Sequence, residues 1–203
     1  MAIVFKPVKM PGNLAGQSNG KLGPCHLRPV FFPGVGNRDL HPLAADAFEC
    51  MAVACLADTK QKLTTVGAYR SYARQEAVFL ERYTPTYNPL INVTTSKRTW
   101  NGKTWYLRRK MAPVAVPGTS NHGWGIANDV AIYSGGKIIG ITAIASVWSW
   151  VQANAESFGL SWEGARPGQP GWEPWHLRYV AGDAVPQRIT DMKAWFAAAA
   201  GAA

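Results

Sequence analysis

Two short segments of this 203-residue chain hold most of its chemistry: Ser120-Asn121-His122-Gly123-Trp124-Gly125-Ile126-Ala127-Asn128-Asp129 and Glu173-Pro174-Trp175-His176. They contribute two imidazoles and a carboxylate suited to a metal, plus a second carboxylate three residues before one of the imidazoles. Three protein ligands, one coordination position left for water, and a free acid to take that water's proton make up a catalytic zinc site. A structural zinc site normally uses four Cys or His ligands, and none of Cys25, Cys50 or Cys55 falls in either segment. Two of the four histidines in the chain lie here. The other two, His26 and His41, read as ordinary surface or core residues, His41 at a helix start before Pro42.

The spacing points to the elements that must position these groups. His122 and Asp129 are separated by Gly123, Gly125 and the small Ala127, which favours a tight turn passing close to the metal. Ile126–Tyr133 alternates as a strand and ends in a Ser134-Gly135-Gly136 turn, so His122 sits on a loop and Asp129 in the strand it feeds. An extended or single-turn Glu173–His176 segment brings its carboxylate within one water of a metal on His176. That last ligand lies 47 positions beyond Asp129, a long-range closure expected of a mixed fold. Thr64–Tyr69 reads as a strand delivering Arg70, with helices over 43–58 and 72–83, a loop over 84–98, and a hairpin of Thr99-Trp100 and Thr104-Trp105 around Asn101-Gly102. A helix over about 142–158 and another after Pro186 complete the pattern. Residues 1–40, rich in Gly and Pro, read as a lead-in packed on a domain spanning 41–203.

The two segments, Ser-x-His-x-x-Gly-x-Ala-x-Asp and Glu-x-Trp-His, resemble the D-alanyl-D-alanine carboxypeptidase family of zinc peptidases. That family includes vancomycin-resistance enzymes and phage endolysin peptidase domains. A third block, Tyr69-Arg70-Ser71-Tyr72 with Gln75, resembles the family's Tyr-Arg-Ser element, and Pro117-Gly118-Thr119 and Arg178-Tyr179-Val180 extend the likeness over roughly residues 65 to 183. The resemblance implies a single α+β domain with a small central antiparallel sheet flanked by helices, of the hedgehog and D-Ala-D-Ala-peptidase type. It implies one zinc ion on His122, Asp129 and His176, lowering the pKa of a bound water towards ~7. Glu173 would then be the base, and Arg70 would stabilise the oxyanion. Ser120, Gln75 and Trp175 are expected on the substrate side, Ser120 alternatively as a support for His122 and Trp175 as a wall that excludes water.

Composition fits one enzyme domain: 47% apolar and 16% charged residues are enough for a core, and no apolar run approaches membrane-spanning length. The start of the sequence lacks a secretory signal, which predicts a protein made in the cytoplasm. Joined to the resemblance, that implies release by another route, as a phage lysis protein or a virion-borne wall hydrolase. Cys50 and Cys55 are five apart in one helix, a poor disulfide spacing, so reduced thiols are expected. The net charge of +9 suits attraction to a polyanionic wall, and solubility explains it equally well. The chain shows no nucleic-acid-binding motif. A monomer acting on bacterial peptidoglycan, without specific nucleic-acid binding or membrane insertion, is the expected form. Terminal D-Ala, a D-Ala cross-link and the L-Ala–D-Glu bond remain alternative targets. So do a D-Ala-D-Ala dipeptidase and a non-catalytic zinc-bearing binding module.

Overall fold

A computed structural model describes residues 5–30, 38–163, 169 and 171–201 of the chain. Along the sequence run β1 (Arg28–Pro29), β2 (Asp39–Leu40), α1 (Pro42–Thr59), β3 (Lys62–Gly67), α2 (Tyr72–Arg82), β4 (Tyr83–Thr84), β5 (Asn92–Trp100) and β6 (Lys103–Arg108). They are followed by β7 (Ala127–Ser134), β8 (Lys137–Gly140), α3 (Ala145–Asn154), β9 (Leu160–Trp162), β10 (His176–Tyr179) and α4 (Gln187–Gly201). The central sheet has the order β3-β7-β10-β9, with β8 also paired to β7, and every pairing in it is antiparallel. This is the α+β architecture that the family resemblance implied.

Helix α1 forms because His41 caps it, Pro42 occupies its first turn, and its interior is rich in alanine. Ala44, Ala45, Ala47, Phe48, Met51, Ala52 and Cys55 are all buried, more than one stripe of the helix, because α1 is packed between the sheet and helices α3 and α4. Strand β7 alternates accordingly. Val130 and Ile132 face the α1 core together with Leu63 and Leu177, and the pleat turns Asp129 to the opposite face. A second, smaller core joins α2 to the three-stranded β4-β6-β5 sheet through Phe79, Tyr83, Trp100 and Leu107. There Phe79 stacks on Tyr83 at 4.7 Å and meets Trp100 edge-on at 5.2 Å.

Several boundaries differ from the sequence reading, most by a residue and three by more. The stretch 84–98 is a loop only over 85–91: Thr84 belongs to β4, and β5 begins at Asn92, because β-branched Val93, Thr94 and Thr95 extend the hairpin strand, and Pro85 and Pro89 bar only the chain before it. The Asn101-Gly102 turn is as expected, with φ of 50° and 70°. The helix expected over 142–158 starts at Ala145 and gives way to a 3₁₀ turn at Ala155–Phe158. Strand β3 spans Lys62–Gly67, so Arg70 lies just beyond its end instead of directly on it.

The described part of residues 1–40 contributes Leu14, Leu22 and Val30 to the core. Arg28 pairs with Asp46 and Glu49 of α1 at 2.5 and 2.7 Å. Residues 1–4 and 31–37 of that lead-in, with Pro33 and Gly34, lie outside the described residues, as do Ala202 and Ala203 of the tail. Cys25 is exposed, Cys50 and Cys55 are buried, and all three thiols are free.

His41 is 1% exposed; its Nδ1 accepts from the Leu43 amide at 3.3 Å and its Nε2 meets Asn13 Oδ1 at 2.9 Å. Both contacts suit the neutral ring with its proton on Nε2. Burial, reinforced by the charge of His26 and opposed by Asp183, lowers its pKa. The unfolded ring, titrating near ~6.5, binds its proton more readily, so the stability held by neutral His41 is present above ~6.5 and is lost as pH falls below it. His41→Asn keeps a capping oxygen that does not titrate. It should flatten the fall of melting temperature between about pH 7.5 and 5.5 while costing no more than about 1 kcal/mol at the upper end. Thermal melts across that range check this, and an unchanged slope would remove His41 from the acid transition.

Candidate metal centre

Asp129 and His176 meet because antiparallel β7 and β10 place them directly opposite each other, with Leu177 opposite Asn128 on the other face. On the far side of β7 a bulge in β3 after Thr65 brings Gly67 opposite Asp129 and turns Val66 outward. A Cβ at Gly67 would collide with Oδ2 of Asp129, so this position must be glycine for the carboxylate to sit where it does. His122 arrives on a 3₁₀ turn, Asn121–Trp124, which closes at Gly125 with φ 65°.

That turn is fastened from several sides. Asn19 Nδ2 donates to the Ser120 carbonyl at 2.7 Å. The Gly20 amide donates to Gly123 O at 2.8 Å, and the Gly20 carbonyl accepts from Tyr72 N at 2.7 Å. Arg70 N donates to His122 O at 3.1 Å and His41 N to Gly125 O at 2.8 Å.

The imidazole orientations follow from their outer contacts. Nδ1 of His122 donates to the Ala68 carbonyl at 2.8 Å, which leaves Nε2 free and 3.5 Å from Asp129 Oδ2. Nδ1 of His176 lies 3.1 Å from Asp129 Oδ1, and its Nε2 lies 3.4 Å from Glu163 Oε2. Glu163 also accepts from Asn121 Nδ2 at 2.6 Å. One ligand atom from each of His122, Asp129 and His176 lies within 4.8 Å of the other two. Donors on a tetrahedral zinc, each at ~2.0–2.2 Å, stand roughly 3.4 Å apart, so these spacings and the N,O,N donor set fit one zinc ion with an open position. A carbonyl behind one ligating imidazole and a carboxylate behind the other are the supports such sites use.

Electrostatics supports the same reading. Burial disfavours the Asp129 charge, but the hydrogen bonds and charges of His122 and His176 outweigh it and hold the carboxyl well below the usual carboxylate range. Burial likewise opposes the His176 charge, but Asp129 and Glu163 raise its pKa to about 9. Hydrogen bonding from His176, against burial, lowers that of Glu163. An ionised aspartate held between two imidazoles suits a cation, and a metal held by His122, Asp129 and His176 would take the place of a proton on His176.

The other expected site residues gather around this centre. Glu173 and His176 share a single turn, closed by His176 N donating to Glu173 O at 3.1 Å and braced by Trp162 Nε1 on Pro174 O at 2.9 Å. Arg70, Ser120, Glu173 and Trp175 all line one cleft of about 670 Å³ that opens over His122, Asp129 and His176. Burial pushes the Arg70 pKa down, with Asp129 opposing and Arg82 and Arg74 adding to it. Gln75 is buried; it accepts from Arg70 at 3.0 Å and donates to Ala115 O at 2.7 Å, so its amide holds the guanidinium. Glu163, Asn121, Gly67 and the Ala68 carbonyl were not legible in the sequence. Glu163 stands 13 residues before His176 in no motif, and a carbonyl leaves no signature.

This fold and this donor set are compatible with a zinc-peptidase type of metal centre. A sequence profile of the VanY D-alanyl-D-alanine carboxypeptidases matches residues 37–182, well over half the chain, and the chain belongs to that family. It is 29% identical over 188 residues to YodJ of Bacillus subtilis (strain 168), whose name describes it as a carboxypeptidase; the match covers 89% of this chain and 59% of YodJ. The LdcB LD-carboxypeptidase is 28% identical, with a TM-score of 0.55 over 86% of this chain and 76% of that one. The vancomycin-resistance D,D-pentapeptidase VanY, solved with Zn(II), shares the fold at 18% identity with a TM-score of 0.51, covering 94% of this chain and 92% of its own. The D,D-dipeptidase VanXYg does so at 17% identity and 0.54, over 91% and 70%.

Gly67→Ala tests how the site is built. It should weaken zinc binding by at least ~10-fold in competition with a chelating dye and destabilise the fold by about 1–3 kcal/mol. Gly140→Ala, on β8 with open space around its Cβ position, should change neither. Equal zinc affinity in the two variants would show that Asp129 is not seated against Gly67.

Proposed function

We propose that the chain is a zinc peptidase that hydrolyses peptide bonds in peptidoglycan stem peptides or their cross-links, and that it serves as a lytic enzyme acting at the bacterial wall. The observation that carries the reading is the union of a three-ligand metal centre with an acid and an arginine in one open cleft. A zinc ion held there would supply an activated water and polarise the scissile carbonyl. Glu173, exposed on the turn before His176, takes the proton of the attacking water and returns it to the leaving amine. Arg70, held by Gln75 and by the His122 turn, offers its remaining guanidinium donors to the oxygen that becomes negative. Trp175 and Ser120 flank the place where the peptide must lie, and Gln75 acts on substrate through Arg70.

The size of the cleft favours a peptide of several residues over a free dipeptide. The lytic role draws its support from this open cleft and from the net charge of +9, which concentrates the protein on an anionic wall. Removal of terminal D-Ala in wall metabolism is the second reading, favoured by the family match itself.

Purified peptidoglycan digested with the zinc-loaded protein should yield new peptide ends whose masses name the bond. Glu173→Ala should retain one zinc per chain by metal analysis and lose turnover by about 100- to 10,000-fold, whereas His176→Ala should lose zinc as well. Full turnover in Glu173→Ala would overturn the assigned base, and zinc-loaded protein inert on every wall type would overturn the peptidase reading.

A further inference from the structure

Between Glu81 and Asp129 the chain carries seven Lys and Arg and no Asp or Glu, so this one stretch supplies seven of the nine net positive charges. It comprises the last residue of α2, the β4-β6-β5 lobe and the return to the metal centre. Two of these cations, Arg82 and Arg98, line the same cleft as the metal trio. Arg82 closes α2 and gives one hydrogen bond to the Ala112 carbonyl at 3.2 Å. Arg98 stands two residues before Trp100 on β5, hence on the face that packs towards Phe79 of α2, and donates to its neighbour's carbonyl, Lys97 O, at 3.0 Å.

Two other arginines that are partly or fully buried are neutralised by carboxylates, whereas Arg70 and Arg188 are held by neutral side chains. Arg28 has Asp46 and Glu49, and Arg178 has Glu163. Among the described residues no carboxylate pairs with Arg82 or Arg98. Two guanidinium groups lining one cleft, each with most of its five donors unspent, are an incomplete arrangement that an anion in the cleft would complete.

We propose that Arg82 and Arg98 form an anion subsite of the cleft that takes an internal free carboxylate of the peptide substrate; the proposal rests on the peptidase reading above. Arg70 precedes the first turn of α2 and Arg82 ends it, and the 11-residue helix spans about 15 Å at 1.5 Å per residue. Arginine side chains reaching inward from both ends shorten that separation to ~10 Å, which an extended peptide at ~3.3 Å per residue covers in about three residues. A carboxylate held at the far end therefore belongs to a residue inside the peptide, several bonds from the one cut. A C-terminal carboxylate next to the scissile bond would lie at the Arg70 end.

The probes are two fluorescein-labelled pentapeptides, L-Ala-γ-D-Glu-L-Lys-D-Ala-D-Ala with the D-Glu α-carboxylate either free or amidated. Binding is measured by anisotropy on zinc-loaded Glu173→Ala protein, in which the peptide stays intact. With both arginines present the free acid should bind at least ~10-fold tighter than the amide, the effect expected of a charge-assisted pair. That ratio should fall below ~3-fold in Arg82→Gln/Arg98→Gln, and in part in Arg98→Gln, whose side chain among the described residues hydrogen-bonds only to the adjacent Lys97 carbonyl. Equal binding of acid and amide to the unsubstituted cleft, or a preference that survives the double substitution, would overturn the subsite. Hydrolysis of the same peptides by the wild-type protein reads out the peptidase reading separately. A preference for the acid without cleavage would leave the subsite standing and remove the activity.

Discussion

Everything at the centre of this molecule is arranged around one largely buried carboxylate. Asp129 cannot remain ionised in the sheet without compensation, and it receives that compensation from two imidazoles brought from opposite sides, His176 across the β7–β10 ladder and His122 from the turn that leads into β7. Backbone pairing decides this geometry. The ladder sets the His176 distance, the β3 bulge clears space at Gly67, and the Ala68 carbonyl beyond β3 selects which nitrogen of His122 faces inward. Two strand pairings and the residue just after β3 thus supply conditions for the same small volume, and they tie the geometry of the candidate ligands to the integrity of the sheet.

The N-terminal segment belongs to that arrangement. Asn19 and Gly20 reach the back of the His122 turn and the first residue of α2, tying the ligand turn to the helix that follows Arg70. At Gly20 a side chain would strike the Tyr72 backbone, so the contact depends on close backbone approach. The Gly- and Pro-rich lead-in therefore helps fix the position of Arg70 relative to His122.

That His122, Asp129, His176, Glu173 and Arg70 gather in one place was legible because each sits in a short segment whose residue types have few other uses together, and the strand holding Asp129 because it alternates. What stayed hidden was non-local. Glu163 supports His176 only because β9 lies beside β10, and the need for glycine at position 67 arises from a register shift that no periodicity announces. The start of β5 was missed because two prolines nearby read as a loop, although they bar only the residues before Asn92. Gln75 shows the opposite limit: the resemblance placed it at the site, and the structure shows it gripping Arg70.

The register between β7 and β10 also governs where this chain can change in length. Side chains alternate faces with period two, so a single inserted or deleted residue within either strand would carry Asp129 or His176 through the sheet to the α1 core. The β7–β8 connection at Gly135 and Gly136 has open space around it and no share in the ligand geometry. Drift in length is tolerable there and at the Asn101-Gly102 tip. Along the few residues flanking the metal ligands, the spacing itself is as constrained as the identity of the side chains.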